Sequence, residues 1–282
     1  MQELDYDELW KRSYEARKRI ESRDPGISYW DQRAEDFSEM RKTNGYEYGK
    51  KVLDALRYII NPEAEVLDIG AGPGTFVIPF AARVKRVTAV EPSLEMIGMI
   101  RKNALEAGIE NFKVINKTWQ DVDVAGISGK YNLVICSMVL WIFEDVWHHL
   151  RRMEQASRGY CCVVASTTGC YSSEWGLWRQ IMGDVEEPES SGYPLIYNLI
   201  YAKGRSPIVE IIDYTIERSV ESEIRQRMLM FGKYKEITPD HERAIRDYVT
   251  AHAEDGRYRA ESKAAVISWN IDETWQGCAS AS

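Results

Sequence analysis

Val66-Leu67-Asp68-Ile69-Gly70-Ala71-Gly72-Pro73-Gly74 is the stretch from which the fold can be read. Val66, Leu67 and Ile69 make a short apolar run ahead of turn residues, the pattern of a strand buried on both faces. Asp68 stands near its end. Gly70, Gly72 and Gly74 then form a turn with almost no side-chain bulk, and Thr75-Phe76-Val77-Ile78 opens a segment predicted to be a helix. A strand, a glycine turn and a helix place backbone N–H groups and a partial positive charge beside open space. With no Cβ in the way, a nucleotide-like ligand can approach the backbone there.

Outward from this turn, strands and helices alternate. A helix over 75–83 leads to a strand over 86–90, closed by Glu91. Ser93 is suited to cap the next helix, which turns Met96, Ile97 and Ile100 inward and stops at Gly108. Strands follow at 112–116, 131–137 and 160–165, with a loop at 117–121 and a helix at 145–156. This alternation predicts an α/β fold, a doubly wound, mostly parallel seven-stranded sheet of Rossmann-like type, with the ligand at the carboxyl edge of the strands.

Upstream, amphipathic helices are expected at 3–21, 29–37 and 46–60. The alternation breaks after Cys170. Residues 171–203 read as helical and rich in aromatics, followed by a strand at 208–220, helices at 221–231 and 239–254, and a strand at 264–269. The expected organisation is an N-terminal helical cap (1–50), a binding core (51–170), a helical aromatic insert (171–205), and C-terminal strands carrying a helix pair (206–282). The tail after Ile271 reads as disordered.

Composition sets bounds. The chain has 282 residues and a net charge of -8, a balance that biases against nucleic-acid partners. No apolar run approaches the roughly 20 residues of a membrane helix, and the acidic N-terminus has no signal-peptide core, so no membrane association and a cytoplasmic location are expected. Oligomeric state stays open. The five cysteines have no zinc-ligand spacing, and no metal is expected. Cys136, Cys161 and Cys162 lie in apolar runs, where reduced cysteine acts as a small hydrophobe.

The glycine spacing narrows the ligand. Dinucleotide sites favour Gly-x-Gly-x-x-Gly, whereas here Gly70, Gly72 and Gly74 alternate and position 75 is Thr. With Asp68 before it, the run resembles the first motif of class I S-adenosylmethionine-dependent methyltransferases, acidic-x-Gly-x-Gly-x-Gly. Glu91-Pro92-Ser93 resembles the family's second motif, and an acceptor-only carboxylate at Glu91 suits two ribose hydroxyls. The resemblance implies S-adenosyl-L-methionine as cofactor, held by Asp68, Gly70, Ala71, Gly72, Gly74, Glu91 and Pro92. It further implies Trp119 and Gln120 around the adenine, with the indole stacking on the purine, and Ser137 and Met138 at the methionine end. Asp68 is expected to order the turn and a cofactor-bound water rather than to titrate.

Tyr29-Trp30 followed by Arg33, Ala34 and Phe37 resembles a segment of small-molecule methyltransferases of the quinone-biosynthesis type, where an aromatic closes over the cofactor. The expected function is methyl transfer to a small-molecule acceptor. Tyr29, Trp30, Trp141, Tyr171, Trp175 and Tyr197 are the candidate acceptor walls, although Tyr193, Tyr197 and Tyr201 share one helical face that packing alone would also explain. No catalytic residue is assigned, because methyl transfer needs no compulsory base; His148 and His149 are weak candidates. The rival readings are a methyltransferase acting on RNA or protein, a nicotinamide oxidoreductase, and a non-catalytic protein that keeps the cofactor fold.

Overall fold

Apolar runs separated by glycine turns make the centre of the molecule a sheet buried on both faces. The structure, a computed structural model, describes residues 4–21, 26–167, 175–185 and 192–274. Four helices, α1 (Tyr6–Ile20), α2 (Gly26–Asp31), α3 (Ala34–Thr43) and α4 (Glu47–Ala55), precede β1 (Glu65–Ile69). The alternation then runs α5 (Val77–Ala81), β2 (Arg86–Val90), α6 (Leu94–Glu106), β3 (Phe112–Ile115), β4 (Tyr131–Ser137), α7 (Val146–Ala156) and β5 (Ser157–Ser166). The expected helix at 29–37 is two helices, α2 and α3, joined by a turn at Gln32 and Arg33.

Beyond β5 come α8 (Trp175–Met182), α9 (Tyr193–Ala202), β6 (Ile208–Ser219), α10 (Val220–Phe231), α11 (Pro239–Ala251), the two-residue β7 (Ala253–Glu254) and β8 (Arg257–Asn270). The sheet order is β3-β2-β1-β4-β5-β8-β6, with β7 pairing to β8 off this path. β3, β2, β1, β4 and β5 are parallel, and β8 enters antiparallel between β5 and β6. The α/β class and the mostly parallel sheet are as the alternation predicts; seven strands make the main order and the two-residue β7 adds an eighth.

β8 is longer than the apolar run at 264–269 suggests. Its first half alternates exposed and half-buried residues, a pattern that marks one wetted face. Pairing with β6 holds that half in place, with Lys263 opposite Asp213 and their side chains 2.7 Å apart. Thr274 makes an isolated bridge to Arg205; the rest of the tail expected to be disordered lies outside the described residues.

Two cores flank the sheet. One, on the α7 face, gathers Trp10, Leu150, Leu199, Ile200 and Trp269; the other gathers Val52, Leu56, Phe76, Phe80 and Ile100 from α4, the α5 region and α6. A third cluster joins α8 to α10 and α11 around Trp178, Phe231 and Ile245. In register, Ile69 lies between Val90 and Cys136, so the carboxyl ends of β1, β2 and β4 meet at one edge.

Candidate functional site

β1 delivers the glycine turn to that edge. Gly70 has φ +70°, and a Cβ there would lie 2.6 Å from Val139 Cγ2, so the position excludes a side chain on both counts. The N–H groups of Gly70 and Ala71 both donate to the Val90 carbonyl, which folds the turn back over β2. The helix that follows is shorter than expected: α5 spans five residues rather than 75–83. Its dipole contribution at the turn is correspondingly small, because few peptide units are aligned.

Glu91, at the end of β2, is the hub of the edge. Its carboxylate accepts from Gly72 N at 2.8 Å and from Ser93 N at 2.9 Å, and the residue is 5% exposed. Burial pushes its pKa up and Asp31 adds to the rise, while the two backbone N–H groups pull the other way. Ser93 caps α6 through Met96 N and donates its hydroxyl to Asp31 at 2.5 Å, which fastens the end of α2 to the site. Asn116 Nδ2 donates to the carbonyls of Glu91 and Pro92.

Asp68 is 1% exposed, and among the described residues its Oδ2 has no hydrogen-bond partner. Burial, with Glu91 adding repulsion, pushes its pKa up to about 8. Three carboxyl groups, Asp31, Asp68 and Glu91, therefore stand around a glycine turn. Such a place favours a ligand with cationic and hydroxyl groups and opposes a phosphate.

At the end of β4, Ser137 Oγ and Tyr48 Oη are hydrogen-bonded at 2.8 Å. Met138 adopts a left-handed φ of +54°, and its carbonyl accepts from Trp141 Nε1. Trp30 lies 6.4 Å from Trp141 and 5.1 Å, edge-on, from Tyr29. Three candidate wall residues from distant parts of the chain thus meet. Lys233, in the turn after α10, joins them with its ammonium 5.6 Å from both the Tyr29 and Trp141 rings. Arg33 lies over Tyr29 and Trp30, and Arg17 over Trp141.

The other predicted residues lie elsewhere. Trp119 is 3% exposed in the α7-face core, because a 3-10 helix at Trp119–Asp121 turns it inward. The Arg152 guanidinium lies 5.1 Å from its ring and donates to the Trp119, Gln120 and Val122 carbonyls. The expected exposed face for purine stacking is therefore not offered, while Gln120 itself is exposed. Tyr197 stacks on Tyr201 and packs against the α7-face core. Tyr171 and the side chain of Trp175 lie outside the described residues. His149 stacks on Phe143 at 3.9 Å, and burial together with His148 lowers its pKa to about 4.

Several residues of the site escape a reading of sequence alone. Asn103, buried on α6, donates to the Pro73 carbonyl and to Ser38 Oγ, tying the glycine turn to α3. Its signal is a polar residue on the inward stripe of α6, three positions after Ile100. Lys233 and Asp31 carry no local signal; only the tertiary fold brings them to the edge. Among the described residues, no group of His, Cys, Asp and Glu could hold a metal ion, and no helix is long and apolar enough to cross a membrane.

Residues 39–187, just over half of the chain, match the model of a methyltransferase domain family. An uncharacterized protein of Haemophilus influenzae is 29% identical over 251 residues, covering 86% of this chain and 89% of that one. The fold is similar to that of the YcgJ protein of Bacillus subtilis, with a TM-score of 0.53 at 18% identity, covering 80% of this chain and 98% of that one. It is also similar to the BH2331 protein of Bacillus halodurans, with a TM-score of 0.52 at 14% identity over 78% and 98% of the two chains.

Proposed function

The chain belongs to the methyltransferase domain family, and from that membership we propose that it transfers a methyl group from S-adenosylmethionine to a small-molecule acceptor. The observation that carries this reading is the buried Glu91 carboxylate clamped by Gly72 N and Ser93 N beside the orphaned Oδ2 of Asp68. Each carboxylate oxygen has a second lone pair, so Glu91 can accept both ribose hydroxyls while keeping its backbone partners. Asp68 Oδ2 lacks a donor, and the cofactor's ammonium is one.

When bound, S-adenosylmethionine supplies an electrophilic methyl group on a sulfonium whose positive charge disappears as the methyl leaves. Gly70, Ala71, Gly72 and Gly74 let the backbone approach closely, and Pro92 and Gln120 border the adenine. Trp119 supports that loop from beneath through the core. Ser137 and Met138 face the methionine end, with Ser137 held by Tyr48. Tyr29, Trp30 and Trp141 exclude water from the reacting centre and present aromatic faces that suit a sulfonium. His149 stays neutral and stacked on Phe143, so proton removal from the acceptor is not assigned to it.

A diphosphate ligand is disfavoured by the same groups. It would bring negative charge against the Asp31 and Glu91 carboxylates, with little helix dipole from the short α5 in compensation. A small acceptor is favoured by the enclosure, in which α2 meets the turn after α10 through Tyr29 and Lys233, and Asp36 pairs with Arg225 at 2.6 Å. Calorimetric titration with S-adenosylmethionine, S-adenosylhomocysteine and NAD tests the reading: the first two bind and NAD does not. Binding of NAD alone would contradict it.

A further inference from the structure

Arg41, near the end of α3, is 8% exposed. Its guanidinium lies between the Phe37 ring, 5.0 Å away, and the Tyr48 ring, 4.7 Å away. Aromatic faces attract the flat of a guanidinium but leave its N–H edge unanswered. Among the described residues Arg41 Nε has no hydrogen-bond partner. The groups acting on its charge are Tyr48, Tyr214, Arg218 and Arg33, and burial lowers its pKa to about 10. Arg218 is itself engaged by Glu223 at 2.6 Å. Among the described residues no acid therefore offsets Arg41, and a buried cation in this state is unfavourable until an anion reaches it.

The two rings that hold Arg41 also border the candidate site. Phe37 Cε1 is 3.6 Å from the position a Cβ at Gly72 would take, and Tyr48 is hydrogen-bonded to Ser137 at the end of β4. We propose that Arg41 is a buried carboxylate-binding subsite beside the glycine turn. Its N–H edge matches a carboxylate in the two-bond geometry that arginine makes and lysine cannot. The carboxylate has two possible sources, the methionine end of the cofactor or the acceptor, and the first rests on the function proposed above.

The wild-type chain and the Arg41→Gln and Arg41→Lys variants are titrated with S-adenosylhomocysteine, which carries the carboxylate, and with methylthioadenosine, which lacks it. The nitrogen resonance of Arg41 Nε is followed in the wild type on adding each nucleoside, and on adding acetate to the nucleoside-saturated chain. With the cofactor as source, Arg41→Gln weakens S-adenosylhomocysteine binding about 10- to 100-fold, leaves methylthioadenosine unchanged, and Arg41→Lys recovers only part of the loss. With the acceptor as source, both nucleosides bind all variants equally, and acetate saturably shifts the Nε resonance. Equal affinities with a resonance that neither S-adenosylhomocysteine nor acetate moves would overturn the proposal, as would equal weakening of both nucleosides. If Arg41→Gln does not fold, Arg41→Lys and the wild-type resonance decide. If the wild type binds neither nucleoside, the methyltransferase reading fails on its own, and the acetate shift still tests the subsite.

Discussion

The glycine edge and the aromatic wall, joined where Ser93 donates to Asp31 at the end of α2, are built in opposite ways. The edge comes from two adjacent strand ends, with Asp68 and Gly70 to Gly74 on β1's exit and Glu91 at the end of β2, linked by Gly70 and Ala71 N–H to the Val90 carbonyl and by Gly72 N–H to the Glu91 carboxylate. The wall comes from three distant segments, with Tyr29 and Trp30 on the cap, Trp141 after β4 and Lys233 after α10 meeting through ring contacts. Local geometry that only certain residues can adopt specifies the edge; packing specifies the wall. The edge suits a ligand part with fixed chemistry, and the wall suits one that varies between relatives of the same fold.

This contrast predicts steeper effects at the edge. Gly70→Ala is the most severe change, because it forces an L residue to φ +70° and drives its Cβ against Val139; it should cost about 1–3 kcal/mol of stability and abolish nucleoside binding, read by thermal melts and titration. A variant that melts and binds like wild type would break the comparison. Next comes Glu91→Ala, which removes the acceptor of two N–H groups as well as the proposed ribose partner. It should weaken S-adenosylhomocysteine about 10- to 100-fold, and unchanged affinity would reject the ribose role.

Asp68 yields a pH signature. Its folded pKa of about 8 exceeds the usual carboxylate value of about 4. The folded, ligand-free chain thus holds this proton more tightly than the unfolded chain. The associated stability is fully present below about pH 4 and is lost as pH rises towards about 8. Asp68→Asn should flatten that slope in denaturant titrations. Binding of a cationic ligand at neutral pH should also release a proton, seen as a buffer-dependent binding enthalpy in the wild type and not in Asp68→Asn.

Smaller effects belong to the wall and beyond it. Trp30→Ala should raise the acceptor's apparent KM several-fold while changing S-adenosylhomocysteine affinity less than Glu91→Ala does. Tyr197→Ala, which removes a ring packed on the α7-face core, should lower the melting temperature and leave nucleoside affinity intact. If its effect falls on binding instead, the wall extends to α9.

The same contrast explains how far the chain could be read before its structure. The parallel sheet and the glycine turn are legible because each depends on residues within one strand and one turn, whereas the clamp of Glu91 by Gly72 N and Ser93 N emerges only when β1 and β2 lie side by side. The inward turn of Trp119 is not legible, because a three-residue helix decides which way its ring points and no periodicity betrays so short an element. Arg41 and Lys233 look like ordinary helix-end and turn cations in the sequence, and their surroundings come from segments far along the chain. The polar half of β8 was missed because its apolar half alone stands out, while its pairing with β6 is a tertiary fact. Asn103 could have been noticed as a polar residue on an apolar stripe.

The central claim is that this carboxylate-lined turn receives the cationic nucleoside of a methyl donor. A crystal structure of the chain with S-adenosylhomocysteine tests it most directly. Both ribose hydroxyls should lie on the Glu91 carboxylate, with the ligand's ammonium within hydrogen-bond distance of Asp68 Oδ2. A nucleoside bound with its ribose away from Glu91, or with Asp68 Oδ2 still unpartnered, would contradict it.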